Sequence, residues 1–287
     1  MVEKTKSFRF EKLDKALIQL NKEDSMIIAG GTDVMVLHRN QRGLPAKISK
    51  PVVFIDHLTE LKQVYVQGND LHIGACSTFS ELLENPSLPT VFKKAIKAIA
   101  APAIRNRGTL GGNICNASPA GDTLPLLYIF NAKLLLRSVN GERLVDISDF
   151  IHGPRRIQRE SNELLVEIIL PEVLKVEASS HIIFEKIANR NADAIAKVEF
   201  AGLLRVRNDR IEDARLAFGA VGPTIIRSVA FEQKLLGKAF PLDKAVIAET
   251  IADFDQIIKP IDDQRSTATY RKKVALNLLR YFLEWKR

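Results

Sequence analysis

Cysteine is nearly absent from this 287-residue chain. Cys76 and Cys115 are its whole supply; they stand 39 positions apart and belong to no C-x-x-C pair. Two thiols cannot hold an iron–sulfur cluster, which draws on four cysteine ligands in most types. They cannot form a disulfide framework either; one bridge stays open as an alternative, and a reduced, cytoplasmic chain is the expected state. No uninterrupted apolar run approaches the roughly 18 residues of a membrane span. The stretch Met1-Val2-Glu3-Lys4-Thr5-Lys6 is charged and has no apolar h-region, so no signal peptide is expected. Aromatic residues make up 7%, with a single Trp. The net charge of +8 therefore does not read as a nucleic-acid surface. Its basic clusters, Lys93-Lys94-Lys97, Arg155-Arg156-Arg159 and Arg271-Lys272-Lys273, lack the interleaved stacking aromatics that single-stranded nucleic acid uses.

Several chemical signatures are missing as well. There is no G-x-G-x-x-G, which excludes a Rossmann dinucleotide fingerprint, and no G-x-x-x-x-G-K-[ST], which excludes a P-loop NTPase. No G-x-S-x-G nucleophile elbow points to hydrolysis. The five histidines, His38, His57, His72, His152 and His181, form no H-E-x-x-H or other ligand spacing and read as ordinary surface or strand residues. The sequon Asn116-Ala117-Ser118 is set aside because no secretion signal accompanies it.

Two glycine loops stand out in what is present. The first follows the short apolar run Met26-Ile27-Ile28-Ala29: Gly30-Gly31-Thr32-Asp33 breaks it ahead of Val34-Met35-Val36-Leu37. A strand feeding a glycine turn that opens a helix aims its free N–H groups at one point, a seat for pyrophosphate. The second runs from Ile104 through Gly108-Thr109-Leu110-Gly111-Gly112-Asn113 to Asn116 and Gly121-Asp122. Its glycines let backbone amides approach an anion, and its short polar side chains offer further hydrogen bonds. The bland alternative for either loop alone is a tight surface turn. Two such loops about eighty residues apart fit a long dinucleotide held between two lobes.

Ala29-Gly30-Gly31-Thr32-Asp33, then Thr109-Leu110-Gly111-Gly112-Asn113 and Ser118-Pro119-Ala120-Gly121-Asp122, are similar to the FAD-binding subunit of molybdenum hydroxylases, the relatives of xanthine dehydrogenase and carbon monoxide dehydrogenase. The likeness continues through Ile73-Gly74-Ala75, Lys186, Ala194-Ile195-Ala196-Lys197, Gly219-Ala220-Val221-Gly222-Pro223-Thr224 and Tyr270-Arg271-Lys272-Lys273, so it covers nearly the whole chain. It implies noncovalent FAD. It also implies two partners: a small subunit with iron–sulfur clusters and a large subunit with the molybdenum cofactor. In that scheme the flavin passes electrons to NAD or another acceptor.

The resemblance also suggests site residues. Ile28, Ala29 and Val34 flank the first loop. Thr32 would offer its hydroxyl to a phosphate oxygen and Asp33 would accept from a flavin or ribose donor; helix N-capping is the plain alternative for both. Thr109, Gly111, Gly112 and Asn113 match the family loop and would hold the pyrophosphate with Gly108, while Asn116 stands where relatives carry a small polar residue. Gly121 leads into Asp122, which resembles the family carboxylate on the adenosine side; a solvated Asp is its alternative. Ile99, Ala100 and Ile104 lie on the approach, Ile99 where xanthine dehydrogenases place an aromatic residue against the flavin. Leu164 and Leu165 match an apolar pair that sandwiches adenine, though core strand residues would look the same. Lys186 matches a lysine near the cofactor, and Asp193 falls in a loop near the flavin edge of NAD-reducing relatives. No residue is assigned as catalytic and none as a metal ligand.

The expected fold is α/β plus α+β. An FAD-binding domain spans residues 1–170, with lobes 1–56 and 57–170, and a C-terminal domain spans 171–287. Leu13, Ala16, Leu17 and Leu20 have helical spacing, Val52–Ile55 reads as a buried strand, and a helix is expected over Thr90–Ala101, ended by Pro102. Strands are expected near Lys133–Ser138 and Leu164–Leu170. Beyond Pro171, three strands (Ile182–Ile187, Ile195–Val206 and Arg215–Val221) precede a helical cluster. The last helix is expected to be capped by Ser266 and to bury Tyr270, Val274, Leu278, Phe282 and Trp285. Two other readings stay open from sequence: a self-sufficient FAD reductase related to the enolpyruvyl-sugar reductases, and a flavin-free binding or scaffold module.

Overall fold

The computed structural model describes residues 5–190 and 193–286, so the first four residues of the expected first lobe lie outside the described residues. That lobe is a three-stranded parallel sheet, β1 (Ser7–Arg9), β3 (Val52–Phe54) and β2 (Met26–Ile28), with β3 in the middle. The helix Leu13–Lys22 connects β1 to β2 and buries Leu13, Ala16, Leu17 and Leu20, one stripe at spacings of three and four. A parallel pair cannot be joined by a tight turn, which is why a helix intervenes.

The second lobe is antiparallel, in the order β4 (Val64–Gln67), β5 (Asp70–Gly74), β10 (Leu164–Leu170), β6 (Lys133–Ser138), β7 (Gly141–Asp146). A small ribbon, β8 (Ile151–Gly153) with β9 (Arg156–Ile157), precedes β10. Strand β10 is apolar on both faces because the sheet is covered on both. Leu165, Ile168 and Leu170 enter the main core beside Leu71, Ile73, Leu134 and Leu136, whereas Leu164 and Val166 pack into the first lobe. A register shift between Leu165 and Glu167 lets the strand change sides.

The C-terminal sheet runs β11 (His181–Ile187), β12 (Val198–Arg207), β13 (Arg210–Gly219), β14 (Ile226–Arg227). It has four strands rather than three: the two-residue β14 pairs with the edge of β13, and two residues are too few to show a period-two pattern. Asn208 and Asp209, both at positive φ, make the hairpin turn between β12 and β13. Alternation along β12 divides two cores. Phe200 and Leu204 face the helices Lys244–Ile257 and Ala268–Leu283, while Ala201 and Leu203 join the main core.

Three helix expectations need correction. The helix from Thr90 stops at Lys97; Ala100 takes a positive φ, and Pro102 opens a new turn, Pro102–Arg105, instead of merely ending the old one. The final helix is capped by Thr267, whose side chain accepts from the Tyr270 amide, and not by Ser266. Its fully buried residues are Arg271, Ala275, Leu279, Phe282 and Leu283; of the expected face Phe282 is buried, Val274, Leu278 and Trp285 pack partly buried against the same core, and only Tyr270 is exposed. Arg271 is the unexpected buried residue: its guanidinium donates to the carbonyls of Lys197 and Ala220 and to Asp263, and this fastens the helix to the sheet.

Candidate cofactor site

Both glycine loops meet at one cleft of about 260 Å³, walled by Ile27 to Val34, Leu37, Phe79, Gly108, Thr109, Gly112, Asn113, Cys115 and Asn116. Gly30 is the point of contact. A Cβ there would fall 1.8 Å from the carbonyl oxygen of Arg107, so the loops can approach this closely only without a side chain. Gly31 has φ +73°, a conformation that favours glycine. The loops are also tied through side chains, since the amide of Asn116 donates to Asp33. Asp33 makes no side-chain cap to the helix Val34–Leu37, so the N-capping alternative does not hold for it.

The anion donors are distributed differently from the sequence expectation. In the second loop most backbone amides are already engaged: Leu110 donates to Ser77, Gly111 to Ala75, Gly112 to the Thr109 hydroxyl and Asn113 to the Thr109 carbonyl. The reason is that Thr109 caps the helix Leu110–Asn116. Gly111 is there for close packing, because a Cβ would lie 2.6 Å from the Ala75 oxygen. The first loop is the opposite case. Among the described residues, the amides of Gly30, Gly31, Thr32 and Asp33 donate to no protein acceptor, nor does the Thr32 hydroxyl. In the second loop it is a side chain that turns toward the cleft. The Thr123 hydroxyl donates to Oδ1 of Asn113 at 2.6 Å, and this leaves the amide nitrogen of Asn113 as a donor.

A second hollow, about 340 Å³, adjoins the cleft and shares Ile27, Ala29, Gly112 and Cys115 with it. Gly111, Leu164 and Leu165 line it at the start of β10, with Asp24, Lys50 and Arg159 also on its wall. Cys76 and Cys115 are free thiols; burial pushes the first up to about 12 and the second to about 11.

Other expected site residues lie elsewhere. Ile99 is buried in the main core and Ala100 packs against that core, with Arg105 donating to both of their carbonyls. Ile104 is exposed. Gly121 packs against Leu124. Asp193 is on the surface beside Arg190. Asp122 is not a solvated carboxylate: it is buried at the seam between the domains, with Nζ of Lys186 2.8 Å from Oδ1 and 2.9 Å from Oδ2. The same ammonium donates to the Ala98 carbonyl at 3.0 Å. Sequence reading missed Phe79 and Cys115 on the cleft wall. Cys115 lies three residues after Gly112 and could have been found from helical spacing; Phe79 arrives through β-bridging of Thr78 to Thr109, which has no local signal.

A strand, a turn of unengaged amides and a facing glycine loop make a cleft of the class that seats a phosphorylated nucleotide. The comparisons agree. The family model for the FAD binding domain in molybdopterin dehydrogenase matches residues 3–173, and that for the CO dehydrogenase flavoprotein C-terminal domain matches residues 184–286. The chain belongs to the FAD-binding medium subunits of the molybdenum hydroxylase family, an oxidoreductase family whose cofactor in this subunit is FAD. It is 33% identical to the xanthine dehydrogenase FAD-binding subunit of Escherichia coli O157:H7, over 85% of this chain and 82% of that one. It is 28% identical to the carbon monoxide dehydrogenase medium chain of Hydrogenophaga pseudoflava, over 92% and 90%. A solved structure of carbon monoxide dehydrogenase from the same organism, lacking the Mo-pyranopterin moiety of its molybdenum cofactor, superposes with a TM-score of 0.87 at 26% identity. That match covers 98% of this chain and 96% of the other.

Proposed function

We propose that this chain is the electron-relay subunit of a three-part molybdenum hydroxylase. It would receive electrons from iron–sulfur clusters on a small partner, fed by a molybdenum site on a large partner, and deliver them to NAD or another acceptor. The observation that supports this most is the cleft: four adjacent amides without acceptors, opposed by a loop whose own amides are engaged. Such a cleft suits an extended pyrophosphate. The pyrophosphate would lie on Gly30 to Asp33 and the amide of Asn113, and the adenine in the hollow beside Leu164 and Leu165. FAD supplies the redox chemistry when bound, and the chain supplies orientation and electrostatics. Relatives named as subunits, and a cysteine supply too small for clusters, support the need for partners.

The purified chain should be yellow, with a flavin absorption spectrum. Alone it should oxidise no purine, aldehyde, aromatic substrate or carbon monoxide, while cognate small and large subunits should restore substrate-dependent bleaching of the flavin. Turnover of any such substrate by the lone chain would rule out the relay reading.

A further inference from the structure

Glu199 is fully buried on β12, and neither of its carboxyl oxygens has a hydrogen-bond donor. The fold has made room for it. Its cross-strand neighbours are Lys186 on β11 and Gly219 on β13. A Cβ on Gly219 would sit 2.2 Å from Oε2 of Glu199 and 3.1 Å from Pro125. Only glycine lets the carboxyl cross β13 beneath the helix Leu124–Ile129 and meet Asp122. Oδ1 of Asp122 likewise has no aligned donor, since Lys186 makes its hydrogen bond to Oδ2. Two carboxyl groups in contact, both Glu199 oxygens without a donor and one ammonium already shared by the two Asp122 oxygens leave one arrangement that satisfies the chemistry: a proton held between the carboxyls.

We propose that Glu199 is a positioning residue of the cofactor site, a protonated carboxylic acid at neutral pH that donates to Asp122 and locks the Asp122–Lys186 pair on the domain seam. This rests on the flavin reading of the cleft. The locked pair is tied to that cleft: Thr123, next to Asp122, fixes Asn113 in the cleft wall, and Lys186 also holds the Ala98 carbonyl. With Glu199 neutral, Asp122 negative and Lys186 positive, the cluster carries no net charge. Burial is the main force raising the Glu199 pKa well above the ordinary carboxylate value, the Asp122 carboxylate adds to it, and Lys186 opposes it. The other groups packed there, Gly219 and Pro125, carry no charge. The sign follows. Protonated Glu199 contributes stability fully below the unfolded-state pKa of about 4.3. That stability is lost as pH rises through the higher folded-state value. Ionisation would set two carboxylates against each other, loosen Asp122 and Lys186, and release the cofactor wall.

The test compares wild type, Glu199→Gln and Glu199→Ala as full chains, by FAD affinity across pH 6–9, thermal midpoint of the flavin-free protein over the same range, and infrared difference spectra. Glutamine can donate to Asp122 but cannot ionise. Glu199→Gln should therefore keep FAD affinity near wild type at pH 6, flatten the alkaline loss of both affinity and midpoint, and remove the C=O band of a protonated carboxylic acid. Glu199→Ala should weaken FAD about ten- to hundredfold, the loss of a hydrogen bond to a charged group. If the alanine variant does not fold, the glutamine variant decides alone. Equal pH slopes in wild type and Glu199→Gln, or no acid band in wild type, would overturn the proposal while leaving FAD binding intact. A wild type that binds no FAD at any pH would overturn the flavin reading and the cofactor role with it, while the midpoint slopes still show whether Glu199 is protonated.

Discussion

Gly30→Ala is the sharpest probe of the two-loop cleft. The new methyl would start 1.8 Å from the Arg107 carbonyl oxygen, and ordinary contact begins at 3.4 Å, so the loops must open by about 1.6 Å. The obstacle is backbone and cannot rotate away. Forcing extra carbon into a packed contact costs about 1–3 kcal/mol. If the strain is relieved in the open, flavin-free form and reappears when the loops close on the pyrophosphate, FAD affinity falls about 5- to 150-fold. The thermal midpoint of the flavin-free protein should then move little, because Gly30 lies on the rim of the cleft and not in a core. Gly43→Ala is the matched control. Gly43, unlike Gly30, has a positive φ, +83°, but nothing lies within 4 Å of the added carbon, so its strain is local and FAD affinity should be unchanged. Flavin fluorescence quenching measures both. An FAD affinity for Gly30→Ala within twofold of wild type would show that the loops do not close on the cofactor as argued.

Arg227→Met should destabilise the protein without altering the cleft. Glu232 is buried and accepts from Arg227 Nε at 2.8 Å and from the Leu216 amide at 2.7 Å. Removing the guanidinium leaves a buried charge, a loss of about 3–5 kcal/mol. It also frees the Tyr128 carbonyl across the seam. Calorimetry should show this loss, partly recovered by adding Glu232→Gln; a change below about 1 kcal/mol would contradict it. Asp263→Asn should alter acid stability. Burial opposes the Asp263 charge, but hydrogen bonds from the Arg265 amide and from Arg271 outweigh it and hold the carboxyl down at about 2. A depressed pKa contributes stability above the unfolded value near 3.9 that is lost as pH falls toward about 2. The wild type should therefore lose stability faster than Asp263→Asn between those values, and parallel acid titrations would refute the assignment.

Local order made much of this protein legible before folding. Leu13, Ala16, Leu17 and Leu20 disclose their helix because a 3.6-residue period repeats within ten residues. The Asn208-Asp209 hairpin is written in two residues that tolerate positive φ. The paired glycine loops were readable because a close backbone approach admits only glycine, whichever segment makes it. The last helix was legible in extent and, through Val274, Leu278, Phe282 and Trp285, largely in facing, but its buried arginine was not. Arg271 reaches two carbonyls and Asp263, and no apolar count reports a buried guanidinium.

Other features were decided only by tertiary structure. Which loop offers its amides depends on whether Ser77, Ala75 and Thr109 have already engaged them, and Ala75 and Ser77 reach the second loop from the end of β5. Asp122 reads as a polar residue after a glycine, yet it is buried because β11 brings Lys186 to it from 64 positions away. Glu199 looks like one polar residue in a strand, Val198-Glu199-Phe200. Its meaning comes from Gly219 across the ladder and Asp122 above it, three segments that only the folded chain places together. Sequence determines the periods and the backbone freedoms. Long-range packing decides which polar atoms are left without partners, and those atoms are where the chemistry of this site resides.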